Sequence, residues 1–291
     1  MKDLYNREID YLRISVTDKC NFNCLYCKPH DMQEIEHQNI LTNEEIIVIV
    51  KEAVKTGIKK VRITGGEPMV RKNIYSLIEE INQIKEIEEI VLTTNASLLE
   101  GNVERLKKAG IKRVNISIDT FDNQTFKNIT HSKRPMNYLS VIDELKEHNL
   151  LPIKVNCVLL KGINDNEIMD FYTLAKEKDI QVRFIELMPF ESNTFDFKDY
   201  YISKEDILRR YPGFTFKNKS NNVEYYTLDD SKTSIGFINA ISHKFCQECN
   251  RLRLTSDGYL KPCLHSSKEI DVRNQNNQEL LHSIKQAIKE K

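Results

Sequence analysis

From the N-terminus to about residue 190, short apolar runs of β type alternate with longer stretches of helical spacing and charged outer faces. The strand-like runs cover residues 12–16, 60–64, 90–93, 113–117, 154–159 and 182–186. Between them, segments such as 42–55, 74–84 and 102–109 place apolar residues three and four apart, the repeat of an amphipathic helix. Gly57 and Gly110 fall just beyond two of these predicted helices, where a left-handed cap belongs, and Gly162 marks another turn. Strands separated by helices predict a parallel sheet joined by right-handed crossovers. A closed eight-unit barrel takes about 250 residues, more than this region holds. The predicted fold is therefore α/β, an incomplete six-unit β/α barrel.

After Met188-Pro189 the rhythm changes. Residues 190–201 are aromatic and polar without a period and read as a connection. Residues 203–210 read as a short capped helix. Shorter β-type runs follow at 213–216, 224–228 and 234–238, then loop sequence punctuated by Gly and Pro, then an amphipathic helix over 278–289. The chain thus divides into a partial barrel, 1–200, and a small β-containing C-terminal region, 201–291.

Charge narrows the function. Lys plus Arg equals Asp plus Glu at 43 each, which argues against a general nucleic-acid binder but not against a local cationic pocket. No apolar run reaches the length of a membrane span, and Met1-Lys2-Asp3-Leu4-Tyr5 opens no signal peptide. The expected compartment is the cytoplasm, which keeps thiols reduced. Six of the seven cysteines fall into two triplets, Cys20/Cys24/Cys27 and Cys246/Cys249/Cys263, with Cys157 alone. Triplets in a reduced chain read as metal sites.

Cys20-Asn-Phe-Asn-Cys24-Leu-Tyr-Cys27 follows directly on the first predicted strand, where a parallel barrel carries its reactive loops. Three thiolates on one loop leave one iron of a four-iron cube without a protein ligand, open to a small molecule. The same spacing also fits a zinc or ferredoxin-type site completed by a fourth ligand from elsewhere, for which Cys157 is available. Arg62-Ile-Thr-Gly65-Gly66-Glu67-Pro68 follows the second strand. Its glycines permit close backbone approach, and Glu67 can accept from an ammonium group. The second triplet has the spacing C-x2-C-x13-C, which suits a second cluster with an open iron. It equally suits a zinc site completed by His243 or His265.

The first triplet, with Tyr26 before its last cysteine, and the Gly-Gly-Glu turn together resemble the radical S-adenosylmethionine (SAM) superfamily. That resemblance implies that SAM chelates the open iron and that reductive cleavage yields a 5′-deoxyadenosyl radical. It also implies a SAM site formed by Tyr26, Gly66, Glu67, Thr93, Asn95, Ser117, Lys154 and the backbone near Met188. Nearly the whole chain, from Tyr11-Leu-Arg-Ile-Ser-Val-Thr-Asp-Lys-Cys20 to Ser256-Asp-Gly-Tyr-Leu-Lys-Pro-Cys263-Leu, resembles one family within it. This is the GTP 3′,8-cyclase family of molybdenum cofactor (molybdopterin) biosynthesis; the Gly236–Ser242 run before Phe245-Cys246 matches it too.

The family resemblance implies two four-iron, four-sulfur (4Fe–4S) clusters, the second binding the purine of GTP. It implies GTP-binding residues Arg13, Lys60, Arg62, Arg183, Arg251 and Arg253, with Arg251 and Arg253 in catalytic positions. The implied reaction removes H3′ of GTP and joins C3′ to C8 to give 3′,8-cyclo-7,8-dihydro-GTP. The implied partners are a low-potential electron donor and the next enzyme of the molybdopterin pathway, with the chain a monomer or homodimer. Three features depart from the family pattern: the terminus Gln-Ala-Ile-Lys-Glu-Lys291 where many members end in Gly-Gly, Lys28 where Met is common, and Ala96 where Gly is common. A related enzyme acting on another nucleotide or a peptide, or a non-catalytic zinc or redox sensor, are the competing expectations.

Overall fold

The computed structural model describes residues 1–27, 35–133, 136–189, 196–228, 231–243, 246–264 and 266–291. Lys28, Phe245, His265 and residues 190–195 of the predicted connection lie outside the described residues. The first half runs β1 (Tyr11–Ser15), α1 (Asn43–Val54), β2 (Lys60–Thr64), α2 (Ile74–Asn82), β3 (Glu89–Thr94), α3 (Val103–Ala109) and β4 (Arg113–Ser117). It continues with α4 (Asn123–Thr130), α5 (Tyr138–Glu147), β5 (Lys154–Leu159), α6 (Ile168–Lys178) and β6 (Gln181–Glu186). All six predicted strands are present, within one residue at their ends apart from local fraying. Two helices, not one, cross from β4 to β5.

The remainder comprises α7 (Phe197–Tyr200), α8 (Lys204–Arg210), β7 (Phe214–Ser220), β8 (Val223–Leu228), β9 (Ile235–Ile238), β10 (Arg251–Leu254), β11 (Tyr259–Lys261), β12 (Ile270–Asp271) and α9 (Asn277–Lys289). Thus the predicted connection contains a four-residue helix, and the loop sequence around the second triplet contains two paired strands. Reciprocal capping boxes start three helices: Thr42 with Glu45, Ser203 with Asp206, and Asn276 with Glu279. Gly110 ends α3 at φ +117°, and a Cβ there would lie 2.4 Å from Asn82 Cγ, so both conformation and space require glycine.

All twelve strands form one sheet in the order β12-β11-β10-β1-β2-β3-β4-β5-β6-β9-β8-β7. The C-terminal segment supplies both edges: β10 lies parallel to β1, and β9 parallel to β6. One barrel-type sheet therefore runs across residue 200, flanked by short antiparallel additions.

Strand alternation divides the sheet into two faces of opposite character. Leu12, Ile14, Val61, Ile63, Ile90, Leu92, Val114, Ile116, Val155, Cys157, Val182 and Phe184 are buried in one core with the apolar stripes of α1, α2, α3, α5 and α6. The alternate positions carry Tyr11, Arg13, Lys60, Arg62, Glu89, Thr93, Arg113, Asn115, Ser117, Lys154, Asn156, Gln181, Arg183, Arg251 and Arg253. An ordinary β/α barrel fills this interior with layers of branched apolar side chains. Here it is polar and cationic. The sheet also curls: β2 and β6 stand four strands apart, about 19 Å across a flat sheet, yet the Arg62 charge depresses the Arg183 guanidinium.

Candidate active site

The loop after β1 holds the first triplet against the turn after β2. Gly66 N donates to Thr17 O at 2.8 Å and Glu67 N to Lys19 O at 2.9 Å. A Cβ on Gly66 would lie 2.2 Å from Lys19 O, so only glycine lets the two loops meet. Gly66→Ala is expected to push the Cys20 loop away, lowering unfolding free energy by about 1–3 kcal/mol and reducing iron loading at this triplet; urea melts and iron assays check both. On its other side the loop hangs from the end of α4, with Asn23 N on Thr130 O and Leu25 N on Ile129 O, each at 2.9 Å. Leu25 and Tyr26 pack on a small apolar cluster of Ile129, Leu160 and Leu187.

Within the loop, Cys27 N donates to Cys24 O at 2.9 Å and Phe22 N to Cys20 Sγ at 3.4 Å. Burial pushes the Cys24 thiol up, and Asp119, Cys27 and Cys20 push it further. Cys20 and Cys27 are thus near enough to Cys24 to oppose its ionisation, a cost that a bound cationic cluster reverses. The Tyr26 hydroxyl donates to Asp119 Oδ2 at 2.6 Å, and Val158 N donates to Asp119 Oδ1 at 2.9 Å. Burial raises Asp119 to about 6 in spite of these two bonds.

Glu67 is buried, and its carboxylate accepts from Thr94 Oγ1 at 2.7 Å, Asn95 N at 2.7 Å and Met69 N at 3.0 Å. It joins the Gly-Gly-Glu turn to the end of β3, and a carboxylate's four acceptor sites leave about one for a ligand. The Asn95 side chain donates to Asn21 Oδ1 at 2.9 Å and lies 4.0 Å from Cys20 Sγ. Thr93 accepts from Arg62 Nη1 at 3.3 Å. Ser117 and Met188 are half-buried at the strand ends of β4 and just past β6. Cys157 lies on the opposite, apolar face of β5, fully buried, with Sγ 3.6 Å from Asp119 O. It is a core residue and does not join the first triplet.

Strand register assembles the cations. Arg13 stands between Arg253 on β10 and Arg62 on β2; Tyr11, one step earlier, stands between Arg251 and Lys60. Lys60 Nζ is 3.9 Å from Asp10, and Arg113 forms a forked pair with Glu89 at 2.6 and 2.7 Å. Arg62 Nε donates to the Tyr11 hydroxyl at 2.5 Å. Among the described residues, no carboxylate pairs with Arg13, Arg62, Arg183 or Arg253. Burial, then Arg253, Arg62 and Arg251, lowers Arg13 to about 9; burial and like charges lower Arg183 and Arg253 to about 10. Arg183 Nε, Asn115 Nδ2, Asn156 Oδ1 and Gln181 Oε1 are buried with no hydrogen-bond partner. Native interiors leave few such atoms unpaired. This face is built to receive a polar, anionic guest.

The second triplet lies at the other end of the same strands. Cys246 and Cys249 bracket a short turn before β10, with Cys249 N on Cys246 O at 3.2 Å, and Cys263 follows β11. Because β11 returns antiparallel, from Leu254↔Leu260 to Arg253↔Lys261, Cys263 arrives beside the start of β10. The first triplet follows the C-terminal end of β1; the second sits at its N-terminal end. A five-residue strand separates the two levels, about 16 Å, and Arg13, Arg62 and Arg253 line the interval. Burial raises the Cys249 thiol, but Arg251 and Lys291 outweigh it and bring it down to about 7. Lys291 Nζ lies 3.3 Å from Cys249 Sγ. Among the described residues no three His, Cys, Asp or Glu side chains are grouped to hold a single metal ion. A four-iron cube makes a different demand, one thiolate for each iron.

The family model described as the radical SAM superfamily matches residues 14–175, and the model described as Molybdenum Cofactor Synthesis C matches residues 180–291. A GTP 3′,8-cyclase of Clostridium botulinum (strain Hall) is 47% identical over 293 residues, covering 99% of this chain and 92% of its own. Another from Alkaliphilus oremlandii is 48% identical over 275 residues, 94% of this chain and 86% of its own. The chain belongs to the radical SAM superfamily and its GTP 3′,8-cyclase family. SuiB of Streptococcus suis, solved bound to S-adenosylmethionine, shares the fold at TM-score 0.66 and 16% identity over 92% of this chain and 64% of its own. A radical SAM enzyme carries SAM and a 4Fe–4S cluster. The first loop suits that pair, with Cys20 and Cys27 near Cys24 on one loop and a glycine turn seated against that loop.

Two acidic residues at the strand ends of this radical SAM fold escaped assignment from sequence. Asp119, just past β4, holds the Tyr26 hydroxyl. Glu186, the last residue of β6, accepts from Ile241 N at 2.8 Å, Ser242 N at 3.0 Å, Ser242 Oγ at 2.7 Å and the Tyr201 hydroxyl at 3.1 Å. It fixes the approach to Cys246 from a position 60 residues earlier in the chain. The available signal for both was an acid at the C-terminal end of a barrel strand, where this architecture keeps its functional groups.

Proposed function

We propose that this chain is a GTP 3′,8-cyclase acting in molybdenum cofactor biosynthesis, with a second 4Fe–4S cluster on Cys246, Cys249 and Cys263. The observation that carries the reading is the cationic wall of Arg13, Arg62, Arg183 and Arg253, which no carboxylate among the described residues pairs, in the interval between two cysteine triplets. When bound, the first cluster and SAM would supply the one-electron chemistry that removes H3′ of GTP and forms 5′-deoxyadenosine. Closing the C3′–C8 bond would take one further electron from the donor and one proton to give a product isomeric with GTP.

The protein's part is orientation, which can account for much of a barrier by itself. Cys20, Cys24 and Cys27 hold the first cluster. Gly66, Glu67, Thr93, Asn95, Ser117, Lys154, Tyr26 and the backbone near Met188 surround SAM. Arg13, Lys60, Arg62 and Arg183 take the triphosphate, for which guanidinium forks are suited. Arg251 and Arg253, beside the second triplet, hold the nucleotide at its other end and stabilise charge late in the reaction. The enzyme draws on a low-potential electron donor, works in the cytoplasm as a monomer or homodimer, and passes product to the next enzyme of the pathway.

Anaerobic reconstitution with SAM, GTP and a strong reductant tests the reading, with products analysed by mass spectrometry. It predicts 5′-deoxyadenosine together with a nucleotide isomeric with GTP; deoxyadenosine alone would move the substrate elsewhere.

Lys154 gives the proposal a pH signature. Burial, then Arg183, Arg113 and Arg62, pushes its ammonium down to about 8, against a weaker pull from Glu89. Between about pH 8 and its ordinary value of 10.5, the native ligand-free protein binds fewer protons here than the unfolded chain. Lys154 therefore costs stability below pH 8, and that cost fades as pH rises across this window. A bound polyanion restores the proton, so GTP binding is expected to take up protons above pH 8. Calorimetry in buffers of different ionisation enthalpy measures the uptake, and Lys154→Met should remove the part that begins near pH 8, leaving only the part that Arg13, Arg183 and Arg253 contribute at higher pH.

A further inference from the structure

The N-terminal segment before β1 folds into a small hook. Asp3 Oδ1 accepts from Tyr5 N and Arg7 N, each at 2.9 Å, while Asp3 Oδ2 accepts from Arg7 Nε at 2.5 Å. Asp3 N donates back to Arg7 O at 3.1 Å, and Asn6 turns the chain at φ +61°. The Asp3 side chain is fully shielded from water and Arg7 is 12% exposed. Such a buried, hydrogen-bonded pair holds its guanidinium in one orientation. That orientation is specific: Arg7 Nη1 donates to Cys246 O, the main-chain carbonyl of the first cysteine of the second triplet. A second tie lies alongside, where Asn250 Nδ2 donates to Asp10 Oδ1 at 2.6 Å.

Arg7 is not used up by these bonds. Its Nη2 is buried and has no hydrogen-bond partner. A charged donor left in that condition is costly, and native structures retain such a group where an acceptor belongs. The side chain stands at the second triplet: its Nη1 is on Cys246 O, and its charge opposes that of Lys291, whose Nζ lies 3.3 Å from Cys249 Sγ.

We infer that Arg7 is a positioning residue for the second cluster: the Asp3–Arg7 hook fixes the Cys246 turn, and Arg7 Nη2 donates to a cluster or thiolate sulfur. The inference rests on the reading that the second triplet carries a cluster. Partners of metal ligands in this outer position set both the retention and the electronic character of the group they surround. Lysine at the same place would keep the charge but lose the fork that reaches carboxylate, carbonyl and sulfur at once.

The test uses the full chain with Cys20, Cys24 and Cys27 replaced by alanine, so that only the second site can hold iron. Arg7→Gln, Arg7→Lys and Asp3→Asn are made in this parent and reconstituted anaerobically. Iron and sulfide content, the electron paramagnetic resonance spectrum of the reduced cluster, its midpoint potential and its loss to a chelator are then compared. Arg7→Gln is expected to lose iron to the chelator about tenfold faster, with altered g-values and a lower potential. Arg7→Lys should recover the potential but not the retention, and Asp3→Asn should weaken retention with Arg7 in place. Should Arg7→Gln fail to fold, the Arg7→Lys comparison carries the same test. A loaded parent whose spectrum, potential and iron retention are unchanged in these variants overturns the role of Arg7. A parent that binds no iron and sulfide removes the second-cluster reading, and this inference with it.

Discussion

With SAM, GTP and a strong reductant, Cys246→Ala should still release 5′-deoxyadenosine while cyclised nucleotide falls by more than about 100-fold, beyond the loss of an outer-sphere partner. Cys24→Ala should lose both products. The division follows from topology. The first triplet follows the C-terminal end of β1 and is tied to the ends of β2, β3 and α4. None of those ties involves the second triplet, which sits at the N-terminal end of β1 and β10. Removing a ligand there leaves the radical-generating loop with all its hydrogen bonds. It takes away one end of the substrate's seat, and a substrate displaced by a fraction of a bond length no longer presents its reacting atoms. Quantifying both products in the same reactions decides the matter. Full cyclisation by Cys246→Ala would show that the second triplet is structural, and loss of deoxyadenosine from that variant would show that the two sites are not separable.

The parts of this arrangement that were legible in the sequence share a local cause. Strand alternation and the 3.6-residue repeat are written in neighbouring residues, so β2, β4 and β5 appear at the expected bounds. The cysteine spacings and the Gly65-Gly66 turn are likewise local. What could not be read depends on partners far along the chain. β10 has four residues and exists because it pairs beside β1, and the run at 234–238, though visible as a strand, did not show that it would lie beside β6. The helix Phe197–Tyr200 is too short to show a period. Nothing near Arg7 or Glu186 in sequence announces Cys246 O or Ser242 as a partner. Arg13, Arg62 and Arg253 were named from the family resemblance, not from their local sequence. Each reads singly as a polar position on a strand, and only the register sets them side by side on a face that most barrels fill with hydrocarbon.

That register makes Arg13 the residue whose replacement should separate stability from function most sharply. Its guanidinium is held down to about 9 by burial and by three arginines, and no carboxylate among the described residues offsets them. Such a group costs stability in the absence of substrate, because its charge is desolvated and repelled. Arg13→Met keeps the length and apolar stem of the side chain and discards the charge. The cluster-loaded, GTP-free variant is expected to melt higher by about 2–4 °C, the shift that roughly 1 kcal/mol gives a chain of this size. GTP affinity is expected to fall about 10–100-fold, the range for losing one hydrogen-bonded charge. The wild-type melting point should rise with GTP concentration more steeply than the variant's, since a ligand stabilises only in proportion to how tightly it binds the native state. High salt should mimic the substitution in part, relieving repulsion and weakening binding together. A variant that melts lower and binds GTP as tightly as the parent would mean that Arg13 is a structural cation with a partner of its own. The opposite pair of shifts is what a site strained for its substrate requires.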